Sequence, residues 1–146
     1  MRISSLLCVA SLSLALIAPA LAEETKAVAK NVNAKQGSAL VQTHKDSKDL
    51  IVLDVRTPAE FAKNRIAGAK NVDVLAANFE AKAKKLDKSK TYLVHCRSGK
   101  RSQTAFKTLK KLGFTKLYHL DGGMMAWQAA DLPVETGEIK VSETKS

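Results

Sequence analysis

One cysteine, Cys96, stands in a setting where its thiol could do chemistry. It follows an apolar segment that predicts a buried strand, and the helix after it is predicted to begin near Ser102. In an open parallel sheet, sites form at the carboxyl ends of the strands, which is where this loop would lie. Loop N–H groups and a helix N-terminus favour bound negative charge and lower the pKa of a nearby thiol. A thiolate held there could attack a negatively charged sulfur or phosphorus compound.

The residues after Cys96 add positive charge and allow a sharp turn. Three of them are basic, and Gly99 can bend the backbone without a Cβ clash. We therefore predict that the whole loop binds the substrate, namely Arg97, Ser98, Gly99, Lys100, Arg101 and Ser102. The alternative, a packed structural cysteine, is disfavoured because polar residues follow Cys96 directly.

The three histidines do not form a catalytic or metal-binding pattern with the cysteine. His95 precedes Cys96, and alternation along a strand would point its side chain the other way, so we predict a structural role. His44 and His119 lie in segments with no evident relation to the loop, and no metal-ligand spacing is present. We therefore expect chemistry that needs neither a metal nor an organic cofactor.

The N-terminal segment is typical of a cleavable signal peptide. Arg2 precedes an apolar run that ends in Pro19 and the small-residue pattern Ala20-Leu21-Ala22. An uncleaved membrane anchor is the alternative, since the uncharged stretch is just long enough to span a bilayer. Cleavage after Ala22 would remove residues 1–22, and with them Cys8, and would place the protein in the periplasm or outside the cell. Export argues against a nucleic-acid partner, and no stable membrane insertion is expected after cleavage.

The 146-residue chain has the size and composition of one globular domain, with 45% hydrophobic and 26% charged residues. Its formal net charge is +10, and such a surface could bind nucleic acid, anionic lipid or a small anion. The lysines concentrate at 82–90 and 107–116, in helix-like stretches. We interpret them as a solvated face rather than as a specific polyanion site.

Aliphatic runs alternate with helix-like segments along the chain. Three continuous runs are typical of strands covered on both faces, and a fourth segment could form an edge strand. These strands are predicted at 50–55, 91–95, 116–120 and 28–32. Asn33 and Thr57 are each placed to cap a helix, and Pro58 and Glu60 complete a capping box for the second. Further helices are predicted at 75–86, 102–112 and 124–130. The alternation indicates an α/β domain with a parallel sheet.

Three motifs resemble the signatures of one family. Residues 53–61, LDVRTPAEF, are similar to the pattern L-D-V-R-x-x-x-E-[FY] of rhodaneses. Residues 65–72, RIAGAKNV, resemble H-I-x-G-A-x-N-[IVL], with Arg65 where histidine is usual, and residues 120–127, LDGGMMAW, resemble L-x-G-G-x-x-x-W. The resemblance spans 33–135 and implies a five-stranded parallel sheet with helices on both faces. We assign the domain to 28–136 and a polar tail to 137–146.

Cysteine-dependent phosphatases share a related loop, but its spacing differs. Their pattern is C-x5-R, whereas here the arginine comes one residue sooner, at Arg101, and Ser102 occupies the phosphatase arginine position. A shorter loop makes a smaller cradle, which matches one sulfur atom better than a phosphoryl group. A phosphatase or an arsenate reductase is therefore kept only as an alternative.

The resemblance to rhodaneses also implies roles. Cys96 would accept sulfur from thiosulfate or a similar small anionic donor and pass it, as a persulfide, to a thiol or to cyanide. Asp54 and Arg56 would brace the loop, although a structural ion pair and a substrate role are equally open. The structural residues implied are Glu60, Gly122, Gly123 and Trp127. A carrier or binding module that delivers sulfur to a partner protein is the second candidate function.

Overall fold

The computed structural model describes residues 27–137, so the predicted signal peptide and all of the C-terminal tail except Gly137 lie outside the described residues. The strands are β1 Val28–Val32, β2 Leu50–Asp54, β3 Asn64–Arg65, β4 Lys70–Asn71, β5 Thr91–His95, β6 Lys116–Leu120 and β7 Glu135–Thr136. The helices are α1 Ala34–Thr43, α2 Pro58–Lys63, α3 Phe79–Ala83, α4 Lys100–Lys111 and α5 Gly123–Ala129.

Five strands form one parallel sheet in the order β1-β6-β5-β2-β4, which confirms the predicted fold. The central strand β5 pairs with β2 on one side and β6 on the other, and Val94 lies opposite both Leu53 and His119. A second, antiparallel pair joins β3 to β7. Sequence reasoning missed this pair because two-residue strands are too short to show a period.

Apolar side chains cover both faces of the sheet, because successive residues of a strand point to opposite sides. On β5, Tyr92 and Val94 join the core beneath α3 and α4. Leu93 joins the opposite core, with Trp127 of α5 and, at its edge, Leu40 of α1. The two cores hold the sheet between helices, so the loop after β5 leaves a rigid and fully buried strand.

Helix starts follow the capping chemistry that the sequence predicts. The Asn33 side chain accepts from the N–H of Gln36, whose own side chain accepts from the Asn33 N–H. Thr57 and Glu60 form the same reciprocal box at the start of α2, with Pro58 in the first helical position. The N-terminus of α2 is therefore fixed by its own residues, beside the carboxyl end of β2.

Two helix boundaries differ from the prediction. Helix α4 begins at Lys100, two residues before Ser102, because the preceding Gly99 adopts φ +96° and ends the loop early. Helix α3 covers only Phe79–Ala83 of the predicted 75–86. Before it, the Asp73 carboxylate accepts from the N–H of Leu75 and holds a turn instead.

Arg65, which stands where the motif that residues 65–72 resemble usually has histidine, ties the end of the domain to its body. Its guanidinium donates to the carbonyl of Gly137 at 3.0 Å and pairs with Glu135 at 3.3 Å. The group also stacks over the ring of Phe61, 5.4 Å from the ring centroid. Arg65 thereby fastens β7 alongside β3.

The lysines of both basic stretches are mostly exposed. Those of 82–90 and 107–116 point to solvent, apart from the half-buried Lys90 and Lys116. Within residues 27–137, no helix is both long and apolar enough to cross a bilayer.

Candidate active site

The loop between β5 and α4 wraps around the sulfur of Cys96. The cysteine is 1% exposed, and the N–H of Gly99 donates to its Sγ at 3.2 Å. Gly99 adopts φ +96°, a conformation that other residues rarely accept, and this turn brings the N–H inward. The first turn of α4 follows at once, so the sulfur lies at the N-terminus of a 12-residue helix.

Hydrogen bonds to the sulfur favour its ionised form. Burial of Cys96 raises the pKa of its thiol, but the hydroxyl of Ser102 and the N–H groups of Ser102, Ser98 and Gly99 lower it. The bonds outweigh the burial, and the pKa lies below that of an ordinary cysteine. These hydrogen bonds favour the thiolate form of Cys96, and the backbone N–H groups among them do not depend on any side-chain charge.

Backbone N–H groups of helix α5 anchor the back of the loop by donating to carbonyl groups of the loop. The N–H groups of Met124 and Met125 donate to the carbonyls of Cys96 and Arg97 at 2.9 and 3.0 Å. Because C=O and N–H point in opposite directions across a trans peptide, the anchored Arg97 carbonyl turns the next N–H, that of Ser98, toward the sulfur. The approach is close: a Cβ on Gly123 would lie 2.3 Å from the Cys96 oxygen, so only glycine fits there.

A buried chain of side chains lies behind the loop. Ser102 Oγ is 2.8 Å from Nε2 of His119 and 3.0 Å from the carbonyl oxygen of Gly99. His119 Nδ1 is 3.2 Å from a carboxylate oxygen of Asp121. The prediction that His119 belongs to an unrelated segment was therefore wrong: it lies on the face of β6 that meets α4, level with Val94 and directly under the loop.

Arg101 faces a carboxylate rather than open solvent. Its two Nη atoms donate to the two oxygens of Glu60 at 2.8 Å each. This pair, with the Thr57 cap, lowers the pKa of Glu60 to about 2, despite partial burial that raises it. Glu60, predicted only as a capping residue, thus also ties α2 to the start of α4. The contact with Glu60 raises the pKa of Arg101, although partial burial opposes the rise. An ionised Cys96 raises this pKa further, so the charge of Arg101 still acts near the sulfur.

Asp54 and Arg56 form a buried ion pair at the end of β2. Their shortest contact is 2.6 Å, and Arg56 also donates to the backbone and side-chain oxygens of Asn64 at 2.6 and 3.1 Å. Among the described residues, the bonds of Arg56 run to Asp54 and Asn64 and not to the loop 96–102. The pair reaches the cysteine only indirectly, because Asp54 Oδ2 lies 3.7 Å from Nε2 of the buried His95.

His95 contacts the backbone of the loop and not the thiol. Its Nδ1 is 3.3 Å from the Cys96 carbonyl oxygen, and burial lowers its pKa, against the opposing charge of Asp54. A neutral, buried ring on the far side of the strand agrees with the structural role predicted for it. Within residues 27–137, its Nε2 has no hydrogen-bond partner.

The remaining predicted site residues lie at the mouth of the loop. Arg97, Ser98 and Lys100 are exposed, so their polar groups face any approaching ligand. Arg97 also lines a cleft of about 410 Å³ between α2 and α5, whose wall includes Lys63 and the half-exposed Met125. In the described part of the chain, no cluster of three His, Cys, Asp or Glu side chains could hold a metal ion.

Comparison with known proteins agrees with this geometry. Residues 38–130 match the model of the rhodanese-like domain. A sulfurtransferase of Allochromatium vinosum is 31% identical over 107 residues, covering 73% of this chain and 98% of that protein. A thiosulfate sulfurtransferase of Coxiella burnetii is 33% identical over 82 residues, covering 56% of this chain and 75% of that protein. The crystal structure of a rhodanese-related protein from Thermoplasma volcanium superposes with a TM-score of 0.61 at 31% identity, over 73% of this chain and 97% of that one. A buried, activated cysteine in a loop after the central parallel strand and a match over most of the domain lead to one conclusion: the chain belongs to the rhodanese family.

Proposed function

We propose that the protein is a sulfurtransferase that carries sulfane sulfur on Cys96 as a persulfide. The observation that carries the proposal is the buried Cys96 sulfur, which receives an N–H bond from Gly99 and has a lowered pKa. A thiolate in a ring of donors is both a nucleophile toward sulfur and a site that stabilises a sulfur anion. The sulfurtransferase names of the similar proteins support this chemistry.

The reaction has two displacement steps. The Cys96 thiolate attacks the outer sulfur of thiosulfate, a new S–S bond forms, and sulfite leaves with the electron pair of the broken S–S bond. A thiolate or cyanide then attacks the outer sulfur of the persulfide, and Cys96 leaves as the thiolate that began the cycle. No electron is gained or lost overall, so the two steps need no redox cofactor.

The loop would stabilise negative charge at each stage. The N–H groups of Ser98 and Gly99 meet the sulfur and are fixed before the substrate arrives, and the Ser102 hydroxyl can add a further hydrogen bond. Exposed Arg97 and Lys100 raise the positive potential at the mouth, which favours a dianion such as thiosulfate. The thiosulfate activity in the name of the Coxiella burnetii protein supports the same donor.

A persulfide carrier that serves a partner protein is the second candidate. The exposed Met125 beside Arg97 gives the rim of the loop an apolar contact that a protein acceptor could use. Turnover with thiosulfate and cyanide separates the two functions, because a dedicated carrier would load sulfur once and release it slowly to cyanide. A phosphatase remains disfavoured by the four-residue spacing between Cys96 and Arg101.

Mass spectrometry after incubation with thiosulfate tests the proposal. We expect the mass of one sulfur atom on the peptide that contains Cys96 and its loss after addition of cyanide. The variant Cys96→Ser should fold, gain no sulfur and lose turnover, because a serine hydroxyl does not ionise near neutral pH or hold a persulfide. Normal turnover by folded Cys96→Ser would refute the proposal.

We also propose that the mature protein begins at Glu23 and works in the periplasm or outside the cell. The pattern Ala20-Leu21-Ala22 after an apolar run supports this. N-terminal sequencing of protein from the extracytoplasmic fraction should give Glu23 first. A chain that keeps Met1 in the membrane fraction would instead support an anchor.

A further inference from the structure

The hydroxyl of Ser102 has one proton and three acceptors that compete for it. The Gly99 carbonyl lies at 3.0 Å and His119 Nε2 at 2.8 Å, and the Cys96 sulfur is the third. A serine hydroxyl donates to one acceptor at a time. The direction of this single proton therefore decides whether the thiolate gains or loses a hydrogen bond.

Proton counting gives two arrangements of His119, which differ in the direction of that hydroxyl. The Asp121 carboxylate accepts only, so the 3.2 Å contact at Nδ1 requires a proton on that nitrogen. If the ring is neutral, Nε2 has no proton and accepts the hydrogen bond of the Ser102 hydroxyl, which then cannot donate to the sulfur. If the ring is a cation, Nε2–H donates to Ser102 Oγ or to the Gly99 carbonyl, 3.2 Å away, and the Ser102 proton is free.

The cationic arrangement leaves no polar atom of the group without a partner. Both ring nitrogens donate, with Nε2–H directed to Ser102 Oγ, and the Ser102 hydroxyl turns to the sulfur. The Gly99 carbonyl then accepts from the N–H of Gln103 at 3.2 Å. The ring of His119 also meets Phe106, with 5.9 Å between the ring centroids, and the strand partners Asn31 and Val94, none of which titrates. Within residues 27–137, the titratable groups that meet the ring are therefore Asp121 on one side and, through Ser102, Cys96 on the other.

We propose that His119, oriented by Asp121, is a positioning residue that in its protonated form directs the Ser102 hydroxyl onto the Cys96 sulfur. The proton that leaves the thiol is then matched by one that stays on the imidazole, and the charges alternate along the chain from thiolate to imidazolium to carboxylate. This assignment rests on the proposed function only in taking Cys96 as the reacting thiol.

Alkylation of Cys96 as a function of pH tests the assignment without any sulfur donor. In the chain that starts at Glu23, Cys96 is the one cysteine, so the rate of reaction with iodoacetamide reports its thiolate fraction. Ser102→Ala should lower this rate at mildly acidic pH about tenfold, as expected for the loss of one hydrogen bond to a charged group. His119→Gln should produce a loss of similar size.

The double variant distinguishes positioning from a direct charge effect. If His119 acts through Ser102, His119→Gln should add less than about twofold in the Ser102→Ala background. If the imidazolium acts on the sulfur directly, the two losses should multiply, and that result would overturn the proposal. An unchanged pH profile in folded His119→Gln would overturn it as well.

Asp121→Asn keeps the test valid if His119 variants fold poorly, because Asp121 is half-exposed. It should move the alkylation profile toward higher pH, in the same direction as His119→Gln but less far. The matched control is Asp49→Asn, the same change at an exposed aspartate that precedes the amino end of β2, whereas the site lies at the carboxyl ends of the strands. It should leave the profile unchanged. Equal effects of the two substitutions would contradict the proposal. Failure to load sulfur from thiosulfate would count against the proposed function but not against these ionisation results.

Discussion

Two arginine–carboxylate pairs lie close to the active-site loop, and they differ in burial and in reach. The side chains of Arg56 and Asp54 are 4% and 0% exposed, and the two residues are neighbours along the end of β2. Those of Arg101 and Glu60 are 25% and 29% exposed, and 41 residues separate them. The first pair closes a local turn, whereas the second joins two helices that flank the site.

The difference indicates a division of labour between stability and loop position. A buried charge that loses its partner is strongly destabilising, because nothing else compensates its removal from water. A pair that is one-quarter exposed is screened and contributes little to stability. We therefore assign Asp54 and Arg56 to folding, and Glu60 and Arg101 to the placement of the first turn of α4 beside Cys96.

Removing Arg56 should have the largest effect on the free energy of unfolding. In Arg56→Met, the Asp54 carboxylate stays fully buried and the carbonyl of Asn64 loses a donor, so we expect a loss of about 3–5 kcal/mol. Urea unfolding followed by circular dichroism measures it. Adding Asp54→Asn should recover part of the loss, since no charge then stays buried. A loss below about 1 kcal/mol would place this pair in the same class as the exposed one.

Removing Arg101 should affect the reaction more than the fold. We expect Arg101→Ala to lower kcat/KM for thiosulfate about ten- to hundredfold, because the first turn of α4 loses its charge-assisted contact with Glu60 and the loop loses a positive charge. The free energy of unfolding should change by less than about 1 kcal/mol. Glu60→Gln is the matched variant, because its amide oxygen can still cap α2 while Arg101 keeps its charge. Its kcat/KM for thiosulfate should fall less than that of Arg101→Ala, as measured by steady-state kinetics at low and high salt. A change below twofold in Arg101→Ala would remove Arg101 from the substrate-binding residues.

The pH dependence of the exposed pair should give the smallest effect. The Glu60 pKa falls from 4.5 to about 2 on folding, so its contribution is complete above pH 4.5 and is lost as the pH falls through 2. Wild type should exceed Glu60→Gln by about 0.2–1 kcal/mol near neutral pH, and the two should converge in acid. Urea unfolding of both proteins across this range measures the difference. If the difference in free energy of unfolding instead grew as the pH fell, the Glu60–Arg101 ion pair would not be the source of this stability.

Local chemistry made much of the fold predictable. The caps at Asn33 and Thr57 depend on residues within one turn, and the run at 50–55 needs no partner to be recognised as a buried strand. The cysteine loop was also visible, because the spacing from Cys96 to Ser102 is a property of one continuous segment.

The long-range contacts of the site were not predictable in the same way. The Glu60–Arg101 pair depends on where α2 and α4 lie, and a capping glutamate gives no sign of a partner 41 residues away. His119 could have been found from strand alternation: it shares a face with Leu117, so once β6 lies beside β5 it must point toward α4. What was missing was the order of the strands.

The depth of Cys96 has a consequence for which molecules can react with it. The residue is 1% exposed, so the loop covers its sulfur, and we expect narrow reagents to reach it more readily than bulky ones. A persulfide adds an S–S bond of about 2.05 Å, and this would move the reactive atom outward by that length. In the first half of the cycle the site would then admit only narrow donors to the Cys96 sulfur. In the second half the added persulfide sulfur would be accessible to bulkier thiols, so the size of molecule that can react would differ between the two steps.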